Sequence, residues 1–163
     1  MKGNATVLEH LQKLLNCELA ARDQYMAHSR IYKDMGLHAL YHRLDHEMEE
    51  ETEHADALIE RMLFLETTPD FNQQDAVNVG TEITQMLQND LDVEYKVIAM
   101  LKETMAVCES VQDYDTRQIL TKLLDDSEMD HAYWLEQQLR LIKTVGMQNY
   151  LQSQMTAEET PAH

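Results

Sequence analysis

Two short motifs, Glu51-x-x-His54 and Glu128-x-x-His131, and two isolated glutamates, Glu18 and Glu94, occupy positions where a helix of this chain would otherwise show an inward-facing leucine. Leu37, Leu40, Leu44, Glu47, Glu51, His54, Leu58 and Leu65 follow alternating steps of three and four, interrupted only by Arg61, so Glu51 and His54 lie on the apolar stripe itself. Leu87, Leu91, Glu94, Ile98, Leu101 and Met105 repeat the pattern, as do Leu120, Leu124, Glu128, His131, Leu135 and Ile142. An earlier stripe of Leu8, Leu11, Leu15, Glu18 and Tyr25 completes the set. The polar members recur at offsets of 76, 77 and 77 residues, a weak internal repeat in bulk sequence but a close one in these positions.

Four buried carboxylates and two imidazoles are costly unless neutralised, and the stripes hold no Lys or Arg apart from Arg61 and Arg22. Two divalent cations would balance the four carboxylates. Hard oxygen donors with one imidazole per ion suit iron or manganese better than zinc, which favours nitrogen and sulfur in structural sites. A lone Glu-x-x-His arises by chance in many helices. Two of them with matched glutamates form the ligand pattern already known from di-iron carboxylate bundles.

The elements that must hold these residues are long helices. Only four Gly and two Pro interrupt 163 residues, which favours an all-α chain with one domain at 1–155 and a flexible tail at 156–163. Periodicity predicts helices from Val7 to about Met35, Leu37 to Leu65, Glu82 to Val111, and from an Asp113 cap to about Val145, then a short fifth in "MQNYLQSQM". Residues 66–81, with Pro69 and Gly80, read as one long connection. A helix of about 28 residues is roughly 42 Å long and a 16-residue extended link can span it, so the expectation is a four-helix bundle with one long crossover.

A net charge of -17 makes nucleic acid and anionic lipid unfavourable partners and cations natural ones, although acidic surfaces also serve solubility alone. The sequence shows no apolar run of membrane-spanning length and no signal-peptide pattern at its start, so a cytoplasmic protein without membrane association is expected. Cys17 and Cys108 lack partners at metal-site spacing and read as reduced structural thiols.

From "MKGNATVLEHLQKLLNCELAARDQY" through "IERMLFLETTPDF" and "AYWLEQQLRLI" to "GMQNYLQSQM", the chain resembles the bacterioferritins. That resemblance implies a ferritin-like bundle in a homo-oligomer of about 24 subunits, a ferroxidase oxidising Fe(II) with O2 or H2O2, ferric mineral stored in the cavity, and a ferredoxin-type reductant for release. By position it implies Glu18 and His54 as terminal ligands of one iron, Glu94 and His131 of the other, with Glu51 and Glu128 bridging. The family's haem-ligating methionine is replaced by Thr52, a poor haem ligand, so haem b is not expected in a homo-oligomer. Met48, one turn earlier, reads as dimer packing, and a shell mixed with a Met-bearing subunit would restore haem.

Further residues carry open readings. Tyr25 matches a tyrosine that supplies an electron in the family, or packs with a hydrogen bond. Trp134 beside His131 reads as core or interface filling. His46 and Glu50 match an inner-surface iron pair, or form a solvated face. Glu47, on the seam but outside the family's ligands, is expected to bond a buried tyrosine or Arg22. The competing functions are a di-iron oxidase or peroxidase acting on peroxide or an organic substrate, and a non-enzymatic helical oligomer, which would leave the buried polar set unexplained.

Overall fold

The computed structural model of the protein describes residues 1–156. Apart from Thr156, the tail expected at 156–163 therefore lies outside the described residues. Helix α1 (Ala5–Asp34) and α2 (His38–Phe64) form one antiparallel pair. Helix α3 (Ile83–Ser110) pairs with a rod made of α4 (Tyr114–Asp125), a π-helical segment (Asp126–Ala132) and α5 (Tyr133–Val145). The short α6 (Met147–Gln154) packs back onto α5 and α2, with its Tyr150 hydroxyl donating to Gln138 Oε1 at 2.9 Å. The four-helix bundle with one long crossover and a short C-terminal helix is the expected architecture.

Local chemistry sets the boundaries. Asn4 caps α1, its side chain accepting from the amides of Thr6 and Val7. Three helix ends close the same way, through left-handed residues Gly36, Glu66 and Gln112 whose following amides bond back to Tyr32, Met62 and Cys108. Only the first of these uses glycine, which is why only the first break is announced by residue type.

The crossover lies along α1. The side chains of Gln12, Gln24 and His28 and the main-chain carbonyl of Asn16, spaced in helical steps, bond the main chain of Asp70, Asn78, Gly80 and Asp75 respectively. Fully buried Asp90 on α3 accepts from both His28 and Gln24, so this ladder also ties the crossover to α3.

The apolar core divides into two clusters. One contains Leu11, Leu15, Leu58, Leu101 and Leu120. The other contains Tyr25, Leu44, Leu87, Leu91 and Leu135. On every helix, the chemistry-bearing residues fall between these two clusters, so a polar layer crosses the bundle at mid-height with hydrophobic packing above and below.

Candidate metal centre

Glu18, Glu51, His54, Glu94 and His131 converge in that layer, each at most 2 % exposed. Glu51 stands in the middle. Its Oε2 is 3.4 Å from His54 Nδ1, and its Oε1 is 3.1 Å from His131 Nδ1. Glu18 Oε2 approaches His54 Nδ1 at 3.7 Å, and Glu94 Oε1 lies 3.1 Å from His131 Nδ1. The imidazoles are nearly parallel, their centroids 6.0 Å apart. Two compact donor triads result, Glu18/Glu51/His54 and Glu51/Glu94/His131, each with ligand atoms within 4.8 Å of one another and with Glu51 in common.

The electrostatics describe a site short of cations. Both Glu18 oxygens, Glu51 Oε2, Glu94 Oε2 and His54 Nδ1 are buried without a hydrogen-bond partner, a costly state for groups of this kind. Burial, reinforced by the Glu51 charge, pushes the Glu18 carboxyl well above its ordinary range. Burial likewise raises Glu94 to about 7, against the hydrogen bond from His131. Burial acts to lower His54, but the Glu18 and Glu51 carboxylates overcome it and raise the imidazole to about 11. His131 is raised in the same way by Glu47, Glu50, Glu51 and Glu94. Burial opposes ionisation of Glu51, yet its Glu18, His131 and His54 neighbours together hold it below the usual carboxylate range. Protons thus occupy the place of cations. Five convergent donors with orphaned atoms facing one another are a donor set that two hard divalent ions fit.

Glu128 is the exception among the expected ligands. It is 46 % exposed and pairs with Lys102 Nζ at 3.3 Å. The sequence stripe ran Leu120, Leu124, Glu128, His131, whereas the buried residues are Leu120, Leu123, Ser127 and His131. A π turn closes through i→i+5 bonds and holds an extra residue, so the stripe is rephased and Ser127 takes the inward place. No residue type in "LLDDSEMDHAYW" announces that change.

Other expectations resolve at the level of contacts. The Tyr25 hydroxyl, buried, donates to Glu94, and burial raises its pKa. His46 Nε2 lies 3.2 Å from Glu50 Oε1, as their spacing implies, but Glu50 also accepts from His131 Nε2 at 2.7 Å, which holds its carboxyl down at about 2. Glu47 bonds Arg43 and His131 rather than Arg22 or a tyrosine, because Arg43 is one turn away on the same helix while Arg22 turns to Asp23. Arg43 also reaches Asp130 at 2.7 Å and stacks on Trp134 at 4.8 Å. Thr52 is exposed and its hydroxyl returns to the Met48 carbonyl, while Met48 packs half-buried against the core. Cys17 and Cys108 are buried and free. Asp126, which sequence reasoning passed over, accepts from His54 Nε2 at 2.9 Å. An open groove of about 460 Å³ between α2 and α4 is lined by Glu53, His54, Gln118 and Lys122.

The ferritin-like domain family matches residues 8–145. A bacterial ferritin of Synechocystis sp. is 64% identical over 156 residues, spanning 96% of this chain and 100% of that protein. A bacterial ferritin of Pseudomonas aeruginosa is 53% identical over 155 residues, 95% and 100% of the two chains. A bacterioferritin of Brucella melitensis is 36% identical over 150 residues, 92% of each. Among the described residues, no helix is long and apolar enough to cross a membrane.

Proposed function

The chain belongs to the ferritin-like domain family, and from that premise we propose that it stores iron, oxidising Fe(II) at a two-ion centre within one subunit and holding the ferric product as mineral inside a hollow shell. One observation carries the reading: two buried donor triads that share Glu51 and leave their inward atoms without hydrogen-bond partners. Fe(II) is the substrate here. Each ion gives up one electron, so a pair reduces H2O2 to water or O2 to peroxide.

The residues divide the work. Glu18 and His54 hold one ion, Glu94 and His131 the other, and Glu51 spans both. The protons on Glu18, Glu94 and the two imidazoles leave as Fe(II) enters, so the site exchanges bound protons for cations. Tyr25, whose hydroxyl donates to Glu94, is read as the residue that supplies an electron to the centre. Glu128 enters the set as a bridging ligand only by leaving Lys102. His46 and Glu50, in contact through the imidazole, would hold a further iron on the inner surface of the shell. The groove that His54 helps to line would supply an approach from the surface.

The shell is taken to be cytoplasmic, of about 24 copies, free of haem because Thr52 offers no thioether, and emptied by a ferredoxin-type reductant. Mixing with a Met-bearing subunit would add haem. The test is Fe(II) added to metal-free protein, with oxidation followed by absorbance and particle size by light scattering. Rapid oxidation with all iron retained in soluble particles is expected. Oxidation no faster than in buffer, or iron that precipitates, would end the proposal.

A further inference from the structure

Between Leu65 and Ile83, Gly80 is the one buried residue, and the rest of the crossover is half-buried or exposed. A Cβ on Gly80 would lie 2.9 Å from Met86 Cγ and 3.1 Å from the Met86 amide nitrogen, so it is the main chain that anchors here. The Gly80 amide donates to His28 Nε2 at 3.0 Å, while His28 Nδ1 lies 2.8 Å from Asp90 Oδ1. With Nε2 accepting and a carboxylate at Nδ1, the ring is a neutral imidazole whose proton sits on Nδ1. Both His28 and Asp90 are fully buried, and neither belongs to the iron centre. We propose that His28 is an acid-released latch on the crossover, holding Gly80 while its Nε2 lone pair can accept and letting go when that nitrogen takes a proton.

A proton on Nε2 sets two N–H donors against each other, and the Gly80 amide must then leave. The other ring nitrogen still donates to Asp90, whose carboxylate favours the charged ring, so the crossover loosens without detaching α1 from α3. Asp90 also accepts from Gln24 Nε2 at 2.7 Å. The Tyr32 ring lies 6.5 Å from that of His28, and burial keeps its hydroxyl neutral by raising its pKa. Tyr25 on α1 and Tyr150 on α6 are raised by burial in the same way. Burial raises Asp90 as well, so this carboxyl competes with His28 for the incoming proton, and only a proton on His28 opens the latch. Upstream, the Asn78 amide stays on Gln24 Oε1 at 3.1 Å, and downstream the buried Ile83 opens α3, which confines the release to residues 79–82.

Hydrogen exchange of the full-length protein tests the latch, read by mass spectrometry on the segment that holds residues 79–82 and corrected for the intrinsic pH dependence of exchange. Between about pH 7.5 and about pH 5, wild type is expected to lose roughly tenfold in protection there, the effect of one lost hydrogen bond, with α1 and α3 unchanged. His28→Gln offers an amide oxygen to Gly80 and an amide N–H to Asp90 but does not titrate, so its protection should hold within about twofold over the same range. Asp90→Asn keeps an acceptor for the Nδ1 proton and removes the negative charge, so the loss should move to lower pH by about one unit or more. An acid loss in His28→Gln equal to that of wild type would assign the response to Asp90 or another group and overturn the proposal. So would a wild type whose residues 79–82 keep their protection in acid, or lose it together with α1 and α3, and so would a loss whose midpoint stays in place in Asp90→Asn.

Discussion

On α2 the side chains of Glu51 and His54 both turn into the bundle, whereas on the opposite rod Glu128 and His131, with the same spacing, part company and only His131 stays inside. Neither residue chemistry nor burial of the surrounding helix separates the two turns. The difference is helical phase. Through Glu51 and His54 the backbone keeps α periodicity, in which i and i+3 share a face, while the segment Asp126–Ala132 is π-helical and rotates position 128 outward as it brings Ser127 in. A motif defined by spacing is therefore a motif only where the backbone keeps the period that the spacing assumes.

The largest effects should separate the two glutamates. Glu51→Ala removes the carboxylate common to both triads, and Fe(II) oxidation is expected to fall by more than about 100-fold. Glu128→Ala should cost less than about tenfold if the residue stays with Lys102. Equal losses in a stopped-flow comparison would break the contrast, showing that iron draws Glu128 inward. Deleting Ser127 sharpens it further. With the extra residue gone, the rod should recover α phase, placing Asp126 four and Glu128 three residues before His131, as Glu50 and Glu51 stand before His54. A crystal structure of the deletion should find Glu128 buried and its link to Lys102 broken.

The next effect is a proton count. With Glu18 and Glu94 raised by burial and both imidazoles raised by their carboxylate neighbours, loading the pair of ions near pH 7 should release about three to four protons, measurable by pH-stat with Co(II). The sign follows: affinity tightens as pH rises. For Glu94, raised from 4.5 to about 7, the stability it lends the metal-free fold is complete below about 4.5 and lost as pH climbs through 7. Release of no protons would mean that both halves are already ionised and open.

Most of the architecture was legible because it rests on period and punctuation. The helix limits expected from apolar spacing and from Gly36, Pro69 and Gly146 agree with those found to within two residues. Four of the expected ligands, Glu18, Glu51, His54 and Glu94, meet because their stripes are uninterrupted α-helix, and His131 joins them from the π segment. What was missed depends on contacts between elements. The ladder from Gln12 to His28 becomes meaningful only once the crossover lies against it. Asp126 finds His54 only through the π turn. Glu47 looked like an anomaly in the seam because Arg43, its partner, sits off the stripe and snorkels over Trp134 to reach it.

The same comparison holds for stability in the metal-free protein. Glu18 belongs to the inward set and has neither oxygen hydrogen-bonded, so its polar head costs the fold more than an apolar side chain of similar size would. Glu18→Met should therefore stabilise metal-free protein by about 1–3 kcal/mol in chemical denaturation while abolishing tight binding of one ion. A destabilised variant would mean that the carboxyl is satisfied by its neighbours after all.

The smallest effect belongs to the outward glutamate. Glu128 and Lys102 are 46% and 55% exposed and form their pair in solvent, where Coulomb attraction is screened and two long side chains must be held in place. Glu128→Gln should change the unfolding free energy of metal-free protein by less than about 0.5 kcal/mol, with the difference vanishing in high salt. A loss of several kcal/mol would place the carboxylate among the buried groups, and the two Glu-x-x-His turns would then be alike in space as they are in sequence.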